Sequence, residues 1–240
     1  MIDIHTKIED IVKADTNMIV FFNKEKIDFC CNGYMTVADV AKEKNIDPII
    51  LVRKIQDRLD TSKSKAKEII DLDDFKELRV GEMIDSILID HHEKERNLLF
   101  EIDPLLNKIL SVHFEHHGGD LIILHSLFAS LKKDLEEHFI KEEKITFPLM
   151  LENDYPNKDL IREVEALEAD HEKAGNLIKE MIELTDWFRA PKDACRTYIH
   201  TFDLLEELVK DVFVHIFKEN SIMFEKYRNK EENSEKTNKK

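Results

Sequence analysis

Two strings stand out in this chain: HFIKE at residues 138–142 and HIFKE at residues 215–219. A His-Glu-Lys triplet precedes each string, starting at His92 in the first case and at His171 in the second. The triplet histidine lies 46 residues before the string histidine in the first pair and 44 residues before it in the second. A set of two histidines and one glutamate therefore occurs twice, which indicates a site for two metal ions.

The spacing within and around these strings predicts a helical bundle. In each string the histidine and the glutamate are four residues apart, so both side chains lie on one helix face. Apolar residues continue that face at steps of three and four, the pattern of a bundle core. The expected core positions are Ile84, Leu88 and His92 in the first bundle helix; Leu131, Leu135, His138, Glu142, Ile145 and Leu149 in the second; Leu160, Val164, Leu167, His171, Ala174, Ile178 and Met181 in the third; and Leu205, Leu208, Val212, His215, Glu219 and Ile222 in the fourth.

Carboxylates on such a face need compensation for their charge. An unpaired carboxylate in an apolar core costs on the order of several kcal/mol, and a bound metal offsets that cost. Imidazole nitrogen with carboxylate oxygen suits iron, manganese or zinc. Glu142 and Glu219 could bridge two metals, with an oxide or hydroxide completing the core. His91 is an alternative to its neighbour His92, and coincidental core packing is the alternative for the whole set.

Composition restricts the class of protein. The 240 residues are 42% hydrophobic and 36% charged, with only 5 Gly and 5 Pro, as expected of long helices. A net charge of −15 opposes binding to nucleic acid. We find neither a signal-peptide pattern nor a run of 18 apolar residues, and the three cysteines do not suggest a disulfide framework. We therefore expect an all-α cytoplasmic protein without a membrane segment.

The chain is expected to contain two domains. Residues 1–58 predict a small unit of three helices, the first over about 5–26, with helix starts at Thr36 and Asp47. Residues 59–78 are the expected linker, 79–228 the four-helix bundle and 229–240 a disordered tail. Within the bundle, Gly118-Gly119 is expected to end the first helix and Asp120 to cap the second.

The bundle resembles hemerythrin, and nearly the whole chain resembles the Repair of Iron Centers family. Proteins of that family are bacterial and restore iron–sulfur clusters damaged by nitric oxide or peroxide. The resemblance rests on DFCCNG at 28–33, HFIKEEKITFP at 138–148, EADHEKAG at 168–175 and HIFKENSIMF at 215–224. The first bundle helix departs from the family pattern because it lacks the usual proline at position 100.

The resemblance implies a site, a cofactor and a partner. The implied cofactor is two non-haem iron ions with an oxide or hydroxide bridge, and the implied partners are damaged iron–sulfur proteins. Glu142 and Glu219 would be the bridging ligands. Cys30 and Cys31 form the family's di-cysteine signature, a thiol pair that could bind labile iron, react with nitric oxide or form a disulfide. The full implied ligand set is His92, His138, Glu142, His171, His215 and Glu219.

Three functions remain open at this stage. The resemblance favours a repair factor that donates iron, while the alternatives are a di-iron nitric oxide reductase or peroxidase and a hemerythrin-like sensor or carrier of oxygen or nitric oxide. All three use the same six ligands, so the ligands do not choose among them or settle whether the protein is an enzyme. The sequence also leaves a homodimer open. Outside the site, we expect Cys195 to pack in the interior and Glu143 to lie on a solvated face.

Overall fold

A computed structural model of the protein describes residues 2–15, 17–30, 32–62, 72–153 and 156–228. Regular structure in these ranges is helical, apart from an isolated bridge between Lys7 and Thr36, so the all-α prediction is confirmed. Residues 63–71 of the expected linker, the expected tail at 229–240 and Cys31 lie outside the described residues. No helix in the described ranges is both long enough and apolar enough to cross a membrane.

The chain divides into two compact units. The first comprises Met1–Arg79 and Phe217–Glu225, and the second comprises Val80–Ile216 with the residues from Lys226 onward. The last helix of the chain therefore contributes to both. The helices of the first unit before that segment are α1 (Ile8–Ala14), α2 (Met18–Lys24), α3 (Val37–Glu43), α4 (Pro48–Ser62) and α5 (Leu72–Glu77).

The first unit has one more helix than the sequence predicted within its first 58 residues. The helix expected over 5–26 is two helices, because Asp15 leaves the helical conformation and its carboxylate accepts the backbone N–H of Asn17 at 3.0 Å. The predicted start of α3 is confirmed: Thr36 and Asp39 form a reciprocal capping box. The α4 helix runs to Ser62, beyond the expected boundary at residue 58.

From Val80 onward the described chain forms four helical stretches, three of which contain a π-helical turn. The stretches pack side by side, with α7 (Glu93–Val112) against α8 (Phe114–Lys141) and α8 against α10 (Lys158–Thr185). In order they are α6 (Val80–Ile87), a π turn (Leu88–His92) and α7 (Glu93–Val112); α8 (Phe114–Lys141), a π turn (Glu142–Thr146) and α9 (Phe147–Glu152); α10 (Lys158–Thr185); and α11 (Arg196–Lys218), a π turn (Glu219–Met223) and α12 (Phe224–Arg228).

The π turn in the second stretch changes which residues face the core. The N–H of Phe147 bonds to the carbonyl of Glu142, five residues back, so the turn contains one residue more than an α-helical turn. Ile145 is consequently 44% exposed, whereas Thr146 is fully buried. The predicted core positions of the third and fourth helices are all buried, but the prediction is wrong beyond Glu142 in the second.

The predicted boundary between the first and second bundle helices is also wrong. The second helix begins at Phe114, so Gly118 and Gly119 lie inside it rather than at a break. The interruption falls at His113, whose carbonyl already accepts the backbone N–H of His117 at 2.8 Å. A side chain at position 118 would approach the Phe114 ring to about 3.0 Å, so Gly118 leaves room for that ring.

Candidate metal centre

The structure brings the six predicted ligand residues together in two overlapping groups. In the first, His92 and His215 join Glu142 and Glu219, and all four ligand atoms lie within 4.8 Å of one another. In the second, His138 and His171 meet the same two glutamates under the same limit. All six residues are buried, with at most 3% exposure. Each histidine pair could hold one cation, and the two shared carboxylates would then lie between two adjacent cations.

The helices place these residues through ordinary α-helical spacing combined with the π turns. His138 and Glu142 lie one turn apart, as do His215 and Glu219, so each pair shares a face. Glu142 and Glu219 are each the first residue of a π turn, and His92 is the last residue of another. Such turns occur frequently at functional sites. Here each one begins or ends at a candidate ligand, and its extra residue changes which of the following side chains face the core.

The inner nitrogen atoms of the histidines converge on the carboxylates and on each other. His92 Nε2 lies 3.0 Å from one oxygen of Glu142, and His138 Nε2 lies 3.3 Å from the other. His138 Nε2 and His171 Nε2 are 3.0 Å apart. A neutral imidazole has one nitrogen with a free lone pair, and a cation between the two rings would accept both lone pairs.

Carboxylates lie near the outer ring nitrogen, Nδ1, of His92, His215 and His138, behind these rings as seen from the candidate centre. His92 Nδ1 donates to Glu143 at 2.9 Å, and His215 Nδ1 donates to Glu95 at 3.1 Å. His138 Nδ1 lies 3.7 Å from Asp170, an ion-pair distance that is too long for a hydrogen bond, so of the three carboxylates only Glu143 and Glu95 hold their histidines by one. Such a partner holds the proton on Nδ1, orients the ring and leaves Nε2 to bind a metal.

These partners were missed in the sequence. Glu143 was expected on a solvated face, and that expectation is wrong because its carboxylate binds His92 and also Arg96, at 2.8 Å. Glu95 and Asp170 occur among many acidic residues, and their spacing from the nearest candidate ligands is not distinctive. A search for carboxylates close in sequence to each ligand would have found all three, together with many false candidates.

Burial and hydrogen bonding set the charge of these carboxylates. Complete burial raises the pKa of Glu95 to about 7, although the nearby His215 opposes the rise. Burial also acts to raise the pKa of Glu143, but hydrogen bonds from His92 and Arg96 hold that pKa below its usual range. The neighbouring His138 holds the pKa of Asp170 well below its usual range.

His91 and His92 are both buried but occupy different places. His91 Nδ1 lies 2.9 Å from Asp211, and His91 is not a member of either group that contains Glu142 and Glu219. It belongs to a separate group with Glu95 and Asp211. The geometry therefore favours His92 as the contribution of the first helix to the candidate centre.

The donor set fits a pair of transition-metal cations. Two buried carboxylates flanked by four imidazoles are costly without a compensating positive charge, and nitrogen with oxygen donors suits iron, manganese or zinc. Thiolate ligands, which would favour softer metals, are absent from both groups. The residues could therefore hold two cations, with Glu142 and Glu219 placed between them.

The two cysteines that the structure describes lie in different environments. Cys30 is buried, and its thiol lies 3.5 Å from a carboxylate oxygen of Asp28. The side chain of Asn220, the residue after Glu219, donates to the Cys30 carbonyl at 3.2 Å. Cys31 lies outside the described residues, so the structure does not test the thiol pair as a whole.

Cys195 is exposed, so the prediction that it packs inside is wrong. It immediately precedes α11, where its backbone carbonyl accepts the N–H of Ile199. His113 Nε2 lies 3.2 Å from its sulfur, and this hydrogen bond lowers the pKa of Cys195 to about 7. The cysteine is therefore an accessible thiol of lowered pKa, outside both groups of candidate ligands.

A helical bundle that buries paired histidines around shared glutamates belongs to the class of non-haem metal-binding bundles. Residues 83–227 match the Hemerythrin HHE cation binding domain, and residues 4–58 match a Domain of Unknown function (DUF542). The first match covers more than half of the chain. The chain therefore belongs to the hemerythrin HHE cation-binding family.

Relatives of similar length extend the likeness over both matched regions. A probable iron-sulfur cluster repair protein of Haemophilus influenzae is 26% identical over 93% of this chain and 96% of its own length. The iron-sulfur cluster repair protein YtfE of Enterobacter is 29% identical over 90% of this chain and 93% of its own. The iron-sulfur cluster repair protein ScdA of Staphylococcus haemolyticus is 27% identical over 86% of this chain and 90% of its own length. The resemblance to the Repair of Iron Centers family is confirmed.

Proposed function

We propose that this protein repairs iron–sulfur clusters damaged by nitrosative or oxidative stress, by donating iron from a labile non-haem centre. The centre would hold two irons bridged by Glu142, Glu219 and an oxide or hydroxide. The single observation that carries the proposal is the pair of overlapping His/Glu groups with two carboxylates in common. The names of three full-length relatives support repair as the purpose of that centre.

The protein environments of the two cation positions differ. The ring of His92 lies 4.5 Å from the ring of Phe139, centroid to centroid, and Arg96 covers that phenylalanine at 5.0 Å. A small cavity borders both histidines of the other position, His138 and His171, but only His215 of the first, and Asp134 and Asp170 also line it. We therefore assign the releasable iron to the position held by His138 and His171.

The chain's residues would control release through their contacts with the cation. Iron bound there supplies a redox-dependent lability, because iron(II) is a weaker Lewis acid than iron(III) and holds an oxide bridge less strongly. Asp170 lies 3.7 Å from His138 Nδ1 and pairs with Lys141 at 2.6 Å, so its charge is shared between the ligand and the surface. Loss of the charge at Asp170 would make His138 less basic and would therefore weaken the hold on a cation beside the cavity.

The di-cysteine segment has a contact that fits a role in repair. Asn220 links the main chain of Cys30 to the residue next to Glu219. A change at the thiols could reach that ligand through a single hydrogen bond. The proposal places the protein in the cytoplasm, where thiols stay reduced and where damaged iron–sulfur proteins are the partners.

The test is iron transfer from the loaded full-length protein. The protein would be loaded with iron, reduced without oxygen, and mixed with an iron–sulfur enzyme inactivated by nitric oxide. We expect the enzyme to regain activity while the protein loses a matching amount of iron. His171→Ala should abolish transfer, whereas the matched control His125→Ala, at a histidine that pairs with Asn107, should leave it unchanged.

The alternatives predict different results in the same experiment. Consumption of nitric oxide or peroxide over many turnovers with iron retained would show an enzyme. A reversible adduct with oxygen or nitric oxide, again with iron retained, would show a sensor or carrier. Either result, in the absence of iron transfer, would contradict donation. Conversion of both Cys30 and Cys31 to Ala with repair intact would remove the thiols from the mechanism.

A further inference from the structure

A third group of ligand-type side chains lies beside the candidate centre. His91, Glu95 and Asp211 each offer an atom within 4.8 Å of the atoms offered by the other two. The ring of His91 stacks on the ring of His215, with centroids 5.3 Å apart and an angle of 8° between the planes. None of the three is among the six candidate ligands, and only Glu95 has a role in the candidate centre, as the partner of His215.

Glu95 provides the strongest sign that the group binds something. It has no exposure to solvent, and its Oε1 accepts from His215 Nδ1 at 3.1 Å. Among the described residues no N–H or O–H group donates to its Oε2, and the carboxylate of Asp211 lies within hydrogen-bond reach of Glu95. A buried oxygen without a partner costs about 1–3 kcal/mol, and more for a charged group. A cation held between Glu95 and its two neighbours would remove that cost.

The surrounding charges are compatible with a cation. Asp211 directs Oδ2 at His91, at 2.9 Å, and Oδ1 at Lys94, at 3.0 Å. Lys94 is 42% exposed and also pairs with Glu207 at 3.2 Å, so the ammonium can stay at the surface while Oδ2 faces inward. Two carboxylates near one ammonium leave negative charge for an incoming cation to neutralise.

We propose that His91, Glu95 and Asp211 form a third divalent-cation site, separate from the two positions of the candidate centre. One imidazole nitrogen and two carboxylates suit manganese(II), iron(II) or zinc(II), with water completing the coordination. Glu95 would join the sites, since Oε1 holds His215 and Oε2 would hold the third cation. The site goes beyond the proposed function, because it requires only binding and not the donation of iron.

The test is a titration of the metal-free, full-length protein with manganese(II), in which calorimetry and electron paramagnetic resonance measure the binding of each equivalent. We expect a third equivalent to bind more weakly than the first two, with its binding measured as loss of the six-line signal of free manganese(II). Asp211→Asn should weaken this third equivalent at least about tenfold, because one of three donors loses its charge, and leave the first two unchanged. The matched control Glu207→Gln should change the third equivalent by less than about twofold, because Glu207 is not in the group.

Two results would overturn the site. One is saturation at two equivalents, as expected if Glu95 and Asp211 share a proton instead of a cation. The other is a third equivalent that binds Asp211→Asn as well as the unchanged protein. Anomalous diffraction from manganese-soaked crystals of the unchanged protein should show a peak between His91 and Asp211, which does not depend on how any variant folds. Failure of iron transfer would leave these results unaffected, so the two proposals fail separately.

Discussion

Replacement of Glu143 by glutamine tests whether the carboxylates behind the histidines support metal binding. In the structure Glu143 accepts from His92 Nδ1 at 2.9 Å and from Arg96 at 2.8 Å. Glutamine has nearly the same shape and keeps one oxygen acceptor, but it loses the negative charge. The change therefore leaves the six candidate ligands in place and alters the orientation and basicity of His92, together with the ion pair to Arg96.

The size of the effect follows from the role of such partners. Loss of a group that orients a metal-binding histidine typically reduces metal affinity by about 10- to 100-fold, or about 1.4–2.7 kcal/mol. Glutamine retains an acceptor, and the Glu143 side chain is 24% exposed, so solvent weakens the electrostatic part. We expect the lower part of the range, about 10- to 30-fold, at the position held by His92 and His215.

Competition with a chelator of known affinity measures this change, with manganese(II) as the probe. The matched control is Glu137→Gln, the same substitution on α8, at an exposed glutamate that pairs with Lys133. The control should stay within about twofold of the unchanged protein. If Glu143→Gln binds as tightly as Glu137→Gln, then Glu143 does not support the ligand, and the assignment of the carboxylates behind the histidines is wrong.

Two further predictions address the helix register and the exposed thiol. Leu208→Ala, at a fully buried position, should lower the free energy of unfolding by about 2–5 kcal/mol in chemical denaturation. Ile145→Ala, at an exposed position, should change it by less than about 0.5 kcal/mol. Equal losses in the two variants would contradict the register shift at the π turn. Alkylation of Cys195 should accelerate as pH rises through about 7, because the reactive thiolate forms across that pKa. His113→Ala should move the midpoint to higher pH, and an unchanged midpoint would show that His113 does not lower the pKa.

The bundle core and the candidate ligands could be predicted because both depend on local periodicity. A glutamate four residues after a histidine, continued by aliphatic residues at steps of three and four, specifies one helix face without any knowledge of the neighbouring helices. The third and fourth helices follow that pattern throughout. The sequence could not separate His91 from His92, since adjacent residues differ by only about 100° around a helix and a π turn at this point alters the angle.

The carboxylates behind the histidines could not be predicted because their contacts join different helices. Glu95 meets His215 across 120 residues of sequence, and Glu143 meets His92 across 51. With 51 acidic residues in the chain, a carboxylate near a ligand is common and therefore uninformative. Only the three-dimensional packing selects the few whose oxygens reach an imidazole.

The π turns explain why the sequence pattern succeeds up to the ligands and fails just beyond one of them. An extra residue in a helical turn weakens backbone hydrogen bonding, so such a turn persists only where another interaction compensates it. Here π turns begin at Glu142 and Glu219, whose burial is itself costly without a counter-charge. Both costs fall at the same residues, and a bound cation would offset them together, because the free energy of metal binding also stabilises the fold. The departure of Ile145 from the core is therefore best understood as a consequence of placing Glu142 where a metal can reach it.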